Sequence, residues 1–474
     1  MLEGLEISEI RFSYLNKYGA FRFDSGYYNK EYLNDESIIQ TKKYSTLKEI
    51  AVDLKSFGAY SLNNEVVYKT EGVPFVRGIN MKGGRISFNN MIYIDETANS
   101  LLWKSEVKPE TVLLSMSGTI GDVAIASKNW KYPINSNQDI AKIDTKGKIN
   151  PYYLYVFLTT KFGQNYLKRE ARGSVQQHVF LSQMEQFEIP LFHDDFVHLI
   201  QKIIEISDDT LFKSQDYYGQ AESILLEAVG LKEFEPSKEP VNIKSFKNSF
   251  LSTGRLDAEY YQKKYEDYLK LIRSYPNGFE NLETACELKD INFNLVKEIE
   301  YQYVELSNIG KAGQITGCTI ALGEELPGRA RRKITTNDVV ISSIEGSLGS
   351  CAIVSDEYNN SLCSTGFYVI NSKKINSETL LVLFKSEPMQ NILKQNCSGT
   401  ILTAINKTEF LNIPVPLIDK AVQKSIQVKV IESMELKKQS EYLLNFAKKA
   451  VEIAIEKNEE TALAYIRKES HEYL

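Results

Sequence analysis

The feature that most constrains this 474-residue chain is an internal duplication. Arg22-Phe23-Asp24-Ser25-Gly26-Tyr27-Tyr28-Asn29-Lys30-Glu31-Tyr32 returns as Arg255-Leu256-Asp257-Ala258-Glu259-Tyr260-Tyr261-Gln262-Lys263-Lys264-Tyr265. Gly118-Thr119-Ile120-Gly121 returns as Gly346-Ser347-Leu348-Gly349. Arg172-Gly173-Ser174 has its counterpart in Ser398-Gly399-Thr400, and Ile189-Pro190-Leu191 in Ile413-Pro414-Val415. Four landmarks in the same order mean a tandem copy. A copy this long is a whole domain rather than a solenoid unit of roughly 20 to 50 residues.

Each copy divides into a mixed region and a long helix. Residues 1–192 and 241–418 alternate short β-rich runs with glycine turns, an α+β pattern. Val112-Leu113-Leu114-Ser115-Met116 and Val123-Ala124-Ile125-Ala126 flank the Gly118/Gly121 turn like the arms of a hairpin. Such Gly-x-x-Gly turns read as hairpin turns rather than phosphate cradles, because no helix start follows them. Residues 193–232 and 419–474 change character. Ile200, Ile204, Ser207, Leu211, Ser214, Tyr218, Ala221, Leu225 and Ala228 fall at a spacing of three and four, the seam of a helix that packs on another helix. Val422, Ile426, Val430, Met434, Leu443, Leu444, Ala447, Val451 and Ala454 form a second seam, on a helix expected to reach about Ala464. Residues 233–240, charged and proline-containing, read as a linker. The seams either lie on their own domains or pair with each other, and their length favours pairing.

Composition excludes more than it suggests. A hydrophobic content of 43% is ordinary for a globular protein, and no apolar run approaches a membrane span. The N-terminus lacks a signal-peptide core, so a cytoplasmic location is expected. Five cysteines, none in a Cys-x-x-Cys pair, read as isolated thiols. No phosphate-binding loop, His-Glu-x-x-His or Asn/Asp-Pro-Pro-Tyr sequence occurs. Glu106-Val107-Lys108 has a spacing some nucleases use, but the second copy does not keep it. No catalytic or metal-ligating residue is therefore assigned.

The candidates for contact with a partner are polar and basic. Arg172-Gly173-Ser174-Val175-Gln176-Gln177-His178 is a glycine-containing loop whose side chains suit base edges and phosphates, and Thr400 stands in the equivalent loop. Lys168 and Arg169 extend the basic cluster before Arg172. Arg329, Arg331, Arg332 and Lys333 place four cations in five residues on a chain of net charge -6, which suggests an anionic partner.

Taken together, the chain resembles the DNA-specificity subunit of type I restriction-modification systems. The resemblance is carried by Val73-Pro74-Phe75-Val76-Arg77-Gly78-Ile79, by Lys108–Ser115 with the Gly118/Gly121 turn, by Asn137-Gln138-Asp139-Ile140-Ala141, by the Arg172…His178 loop and by Ile189-Pro190-Leu191. In the second copy it is carried by Asn337–Ser343, Gly346-Ser347-Leu348-Gly349 and Ile413-Pro414-Val415. The second copy departs from the pattern at Cys363-Ser364-Thr365-Gly366-Phe367, where the first has Asn-Gln-Asp, and it lacks the histidine of the first loop. The resemblance implies two tandem target-recognition domains, each followed by a long helix, with the helices paired as an antiparallel coiled coil. It implies a non-catalytic reader of double-stranded DNA that docks two methyltransferase subunits and motor-nuclease subunits. S-adenosylmethionine, ATP and magnesium would then be bound by those partners, and Arg77 joins the DNA-contacting candidates. A specificity subunit of a bipartite methyltransferase-nuclease enzyme, or an adaptor for protein, are the alternatives.

Overall fold

The computed structural model describes residues 8–16, 21–56, 66–88, 91–173, 177–399 and 403–469. The chain forms two compact units. One comprises Met1–Phe212 with Gln439–Leu474, the other Lys213–Lys438.

The first unit is built on two four-stranded sheets. One has the order Asp53–Lys55, Ile140–Asp144, Val112–Ser115, Val123–Ile125, all antiparallel. The other has the order Ile92–Ile94, Val73–Val76, Ile134–Ser136, Glu106–Val107, with Val73–Val76 and Ile134–Ser136 parallel. The strand Val112–Ser115 is buried on both faces, which explains its continuous apolar run. Val112 and Leu114 join the core that contains the helix Pro151–Thr159. Leu113 points the other way and packs with Val76, Val107 and Ile134 of the second sheet. An asparagine cap and a proline fix where that helix starts. Asn150 accepts hydrogen bonds from the amides of Tyr152 and Tyr153 at 3.0 and 3.3 Å, and Pro151 occupies the first turn.

The second unit repeats this topology strand for strand. Its sheets have the orders Glu287–Leu288, Phe367–Asn371, Val339–Ser342, Cys351–Ile353 and Thr319–Leu322, Glu300–Val304, Leu362–Ser364, Ala330–Lys333. The parallel strand pair, Glu300–Val304 with Leu362–Ser364, is again in the second sheet. The register matches as well: Ser115 faces Ile140, and Ser342 faces Phe367. The glycine turns close hairpins, as expected. All five cysteines are free, and burial pushes the thiols of Cys286, Cys351 and Cys397 up to about 12.

The long helices run Asp194–Val229 and Lys420–Glu456, and they pair antiparallel within each unit. In the first unit Ser207 meets Ser440, while the amide of His193 donates to the Glu459 carboxylate at 3.2 Å. Ile200, Ile203 and Ile204 share a core with Leu443, Phe446 and Ala447. In the second unit Ser214 meets Ser433, and Lys429 lies 4.4 Å from the Tyr217 ring centre. There Ala221, Leu225 and Val229 share a core with Ile426 and Val430. The second helix does not continue to Ala464. It stops at Glu456 and a separate helix, Glu459–Glu469, begins after Asn458, whose side chain accepts from the Thr461 amide at 2.9 Å. Among the described residues no helix is long and apolar enough to cross a membrane.

Candidate nucleic-acid interface

In the first unit, stretches far apart in sequence meet beyond the C-terminal ends of Val73–Val76, Val112–Ser115 and Ile134–Ser136. The Met116 amide donates to the Asp139 carbonyl at 2.7 Å, and the Val179 amide to the Met116 carbonyl at 2.9 Å. The Asn137 amide donates to the Val76 carbonyl. Gly78 lies so close to the hairpin turn that a Cβ there would stand 3.3 Å from the Thr119 hydroxyl. The turn at Gly118, the Asn137-Gln138-Asp139 segment, the base of the Arg172–His178 loop and the Arg77-Gly78 corner therefore form one polar surface. Asp139 organises it, accepting from Ser117 Oγ at 2.7 Å and from Asn137 Nδ2 at 3.1 Å. The loop is closed at its base by reciprocal main-chain hydrogen bonds between Arg172 and His178, at 2.9 and 2.7 Å. Arg172 and Gln177 are exposed, and His178 stands half-buried with its ring 4.6 Å from Phe180. Ser174 and Gln176 lie outside the described residues.

The second unit builds the same surface from different chemistry. The Ser343 amide donates to the Gly366 carbonyl and the Ile405 amide to the Ser343 carbonyl, the counterparts of the Met116 bonds. Ser398 and Ala404 pair across the loop base where Arg172 and His178 do so in the first unit. Each loop leaves its base through a glycine, Gly173 at φ 117° and Gly399 at φ 126°, a conformation that side chains with a Cβ rarely adopt. Thr400 lies outside the described residues. At the corner, Glu305 replaces Arg77. Both residues' amides are capped by an asparagine three positions on, Asn308 and Asn80. Glu305 pairs with Arg329 at 3.7 Å, and the Arg329 carbonyl accepts from the Thr365 amide.

Two of the expected assignments change. Arg169 is 5% exposed. It donates to the Tyr27 carbonyl at 2.9 Å, pairs with Glu36 at 3.1 Å and lies over the Tyr27 ring, so it serves the core and is not presented to DNA. The basic run is also divided. Arg329 sits at the interface corner, whereas Arg332 donates to Asn292 at 3.0 Å and Lys333 approaches the Phe293 ring, at the far end of their strand. Arg331 is the extra residue of a β-bulge, its Nε bonded to the Gly328 carbonyl. Lys168 is exposed on the last turn of Lys161–Glu170. Sequence reasoning did not single out Asp139, Ser117 or Glu305. The signal for Asp139 was present, in a polar Asn-Gln-Asp segment between two apolar strands.

Electrostatically the two surfaces differ in kind. The first carries Arg77, Arg172 and His178 around a carboxylate already engaged by Ser117 and Asn137. The second carries hydroxyls and a Glu305–Arg329 pair. Guanidinium, amide and imidazole groups can donate to phosphates and to guanine or adenine edges, while carboxylates and hydroxyls accept from cytosine or adenine amino groups. Among the described residues no cluster of His, Cys, Asp or Glu is placed to hold a metal ion.

The family model of the type I restriction modification DNA specificity domain matches residues 41–215 and 294–445, once in each copy. Among solved structures, the chain is similar to a type I restriction-modification system S subunit from M. genitalium (14% identity, 87% of this chain and 95% of that chain, TM-score 0.40). It is also similar to the HsdS subunit from Thermoanaerobacter tengcongensis (11% identity, 88% and 97%, TM-score 0.28). The family match covers both candidate surfaces and, apart from the strand Glu287–Leu288, both sheet frameworks, and on it the chain belongs to the type I restriction-modification DNA-specificity family, the non-catalytic, DNA-recognising part of those systems.

Proposed function

We propose that this chain reads a bipartite, asymmetric DNA target, one half with each unit. The observation that carries the reading is the contrast just described: one backbone frame, built twice, bearing non-equivalent side chains at matched positions. Arg77 becomes Glu305, Arg172 becomes Ser398 and His178 becomes Ala404. Shared hydrogen bonding keeps the frame, and the differing donors and acceptors select different base edges. Two such surfaces read two short sequences separated by an unread gap.

The chain supplies sequence choice and no chemistry. Two methyltransferase subunits dock on it, motor-nuclease subunits complete the restriction complex, and S-adenosylmethionine, ATP and magnesium are held by those partners. Its work on DNA is done in the cytoplasm. The test is methylation-sensitive long-read sequencing of a host that carries the methyltransferase genes with and without this chain. An interrupted, asymmetric methylated motif that depends on the chain supports the reading. A continuous palindrome, or a motif that persists without the chain, contradicts it.

A further inference from the structure

The most closely repeated sequence in the chain, Arg-x-Asp-x-x-Tyr-Tyr, is built to the same plan in both units. In the first, Arg22 Nε and Nη2 donate to the two carboxylate oxygens of Asp24 at 2.9 and 2.7 Å. The guanidinium lies 4.0 Å from the Tyr27 ring centre, and the Tyr28 hydroxyl donates to the Arg22 carbonyl at 3.0 Å. In the second, Arg255 makes the same fork to Asp257 at 2.8 and 2.6 Å, lies 4.4 Å from the Tyr260 ring and accepts from the Tyr261 hydroxyl at 3.0 Å. These guanidinium groups are 14% and 13% exposed and their fork is already filled by aspartate, so neither is available as a phosphate clamp.

What the remaining donors hold is the loop base. Arg22 Nη1 pairs with Glu170 at 3.2 Å, two residues before Arg172. Glu170 also accepts from Gln183 Nε2 at 2.9 Å, and Gln183 Oε1 accepts from the Phe180 amide at 2.8 Å, two residues beyond His178. Both stems of the loop are thus tied to one guanidinium. In the second unit Arg255 Nη2 donates to the Cys397 carbonyl at 2.8 Å, on the first stem. Its Nη1 pairs with Glu409 at 3.3 Å, and Glu409 is bonded to Asn406, on the second stem. The carboxylate precedes the loop in one unit and follows it in the other, and the same closure results.

We propose that Arg22 and Arg255 are positioning residues for base discrimination, each fixing the loop that faces its own half-site. The inference rests on the DNA-reading function above. A side chain that must meet a base edge tolerates little displacement, so slackening the loop stems reduces discrimination before it reduces general DNA affinity.

The test uses the complete chain assembled with its methyltransferase partner, and duplexes carrying the wild-type methylated motif or single-base changes in either half. Arg22→Gln is expected to lower discrimination in one half-site by roughly tenfold and leave the other unchanged. Arg255→Gln is expected to do the reverse. Binding to unrelated duplex and its salt dependence should match wild type, because no phosphate contact is lost. Asp24→Asn and Asp257→Asn, which keep the cation and loosen its fork, should give smaller effects of the same pattern, with Asp24→Asn also removing a charge near Arg172. If the wild-type complex discriminates both half-sites and all four variants discriminate as well as it does, the proposal falls and the DNA-reading function stands. Equal loss in both halves, or variants that fail to assemble, would show a general structural brace and also overturn it. A wild-type complex with no sequence discrimination would overturn the function itself.

Discussion

Ser207 and Ser440 exchange two hydrogen bonds across the helix pair of the first unit, each hydroxyl donating to the other's main-chain carbonyl, at 2.7 and 2.6 Å. Arg85 adds to this layer, donating to both hydroxyls at 2.5 and 3.1 Å and pairing with Asp208. Ser214 and Ser433 repeat the exchange in the second unit, at 2.7 Å in each direction. A larger side chain at these positions would force the backbones apart. Ser207→Leu is expected to destabilise the protein by about 1–3 kcal/mol, and Ser207→Ala by about 1 kcal/mol, the worth of a lost hydrogen bond. Denaturant midpoints check both. Wild-type stability in the leucine variant would show that the seam does not require a small residue.

Lys142 gives the first unit a pH dependence. It is 2% exposed, with Nζ donating to Ser136 Oγ at 2.9 Å. Burial, with Lys55 adding repulsion, pulls its ammonium down from 10.5 to about 7. The folded protein then holds a neutral amine where the unfolded chain is protonated, so unfolding takes up a proton between pH 7 and 10.5. Stability from this group rises with pH across that window and levels off below it, where both states are charged. Lys142→Met should raise stability near neutral pH and flatten the rise. An unchanged slope between pH 7 and 9 would contradict the assignment.

Arg169 and Arg172 should separate stability from recognition. Arg169→Met removes one member of a buried ion pair and is expected to cost about 3–5 kcal/mol, because the buried Glu36 carboxylate loses the Arg169 cation. Arg172→Ala removes an exposed side chain and is expected to change stability by less than about 0.5 kcal/mol while altering DNA recognition. Thermal melts with parallel binding measurements distinguish the two. A large stability loss at Arg172 would make the loop arginine structural.

The chain alone should neither methylate nor cleave DNA. The expectation follows from the absent sequence motifs and the non-catalytic family. Purified chain incubated with S-adenosylmethionine, or with ATP and magnesium, should leave duplex DNA unmodified, and labelled methyl transfer without a partner would contradict it.

The frame was legible in the sequence because repetition marks it. Gly173 and Gly399 were visible as a pair, since the shared backbone conformation demands glycine twice. The helix seams were legible for the same reason that they pack, a regular spacing of small and apolar residues. Burial of charge was not legible. Arg169 sits in a basic stretch, and only the approach of Glu36 and Tyr27, far away in sequence, turns it inward. The run from Arg329 to Lys333 looks like one patch, but the bulge at Arg331 and the contacts to Asn292 and Phe293 divide it. Ser433 and Ser440 were passed over because a serine in a helix ordinarily faces solvent. Their burial is a property of the pair. The break before Glu459 turns on a single asparagine cap in a segment otherwise rich in helix formers.

The most direct test of two separate readings is the methylated motif of a host carrying the chain with Arg172, Gln177 and His178 all replaced by alanine. The expected result is an interrupted motif in which one half is changed or relaxed and the other, together with the gap length, is identical to wild type. Equal changes in both halves would contradict the assignment of one half-site to each unit.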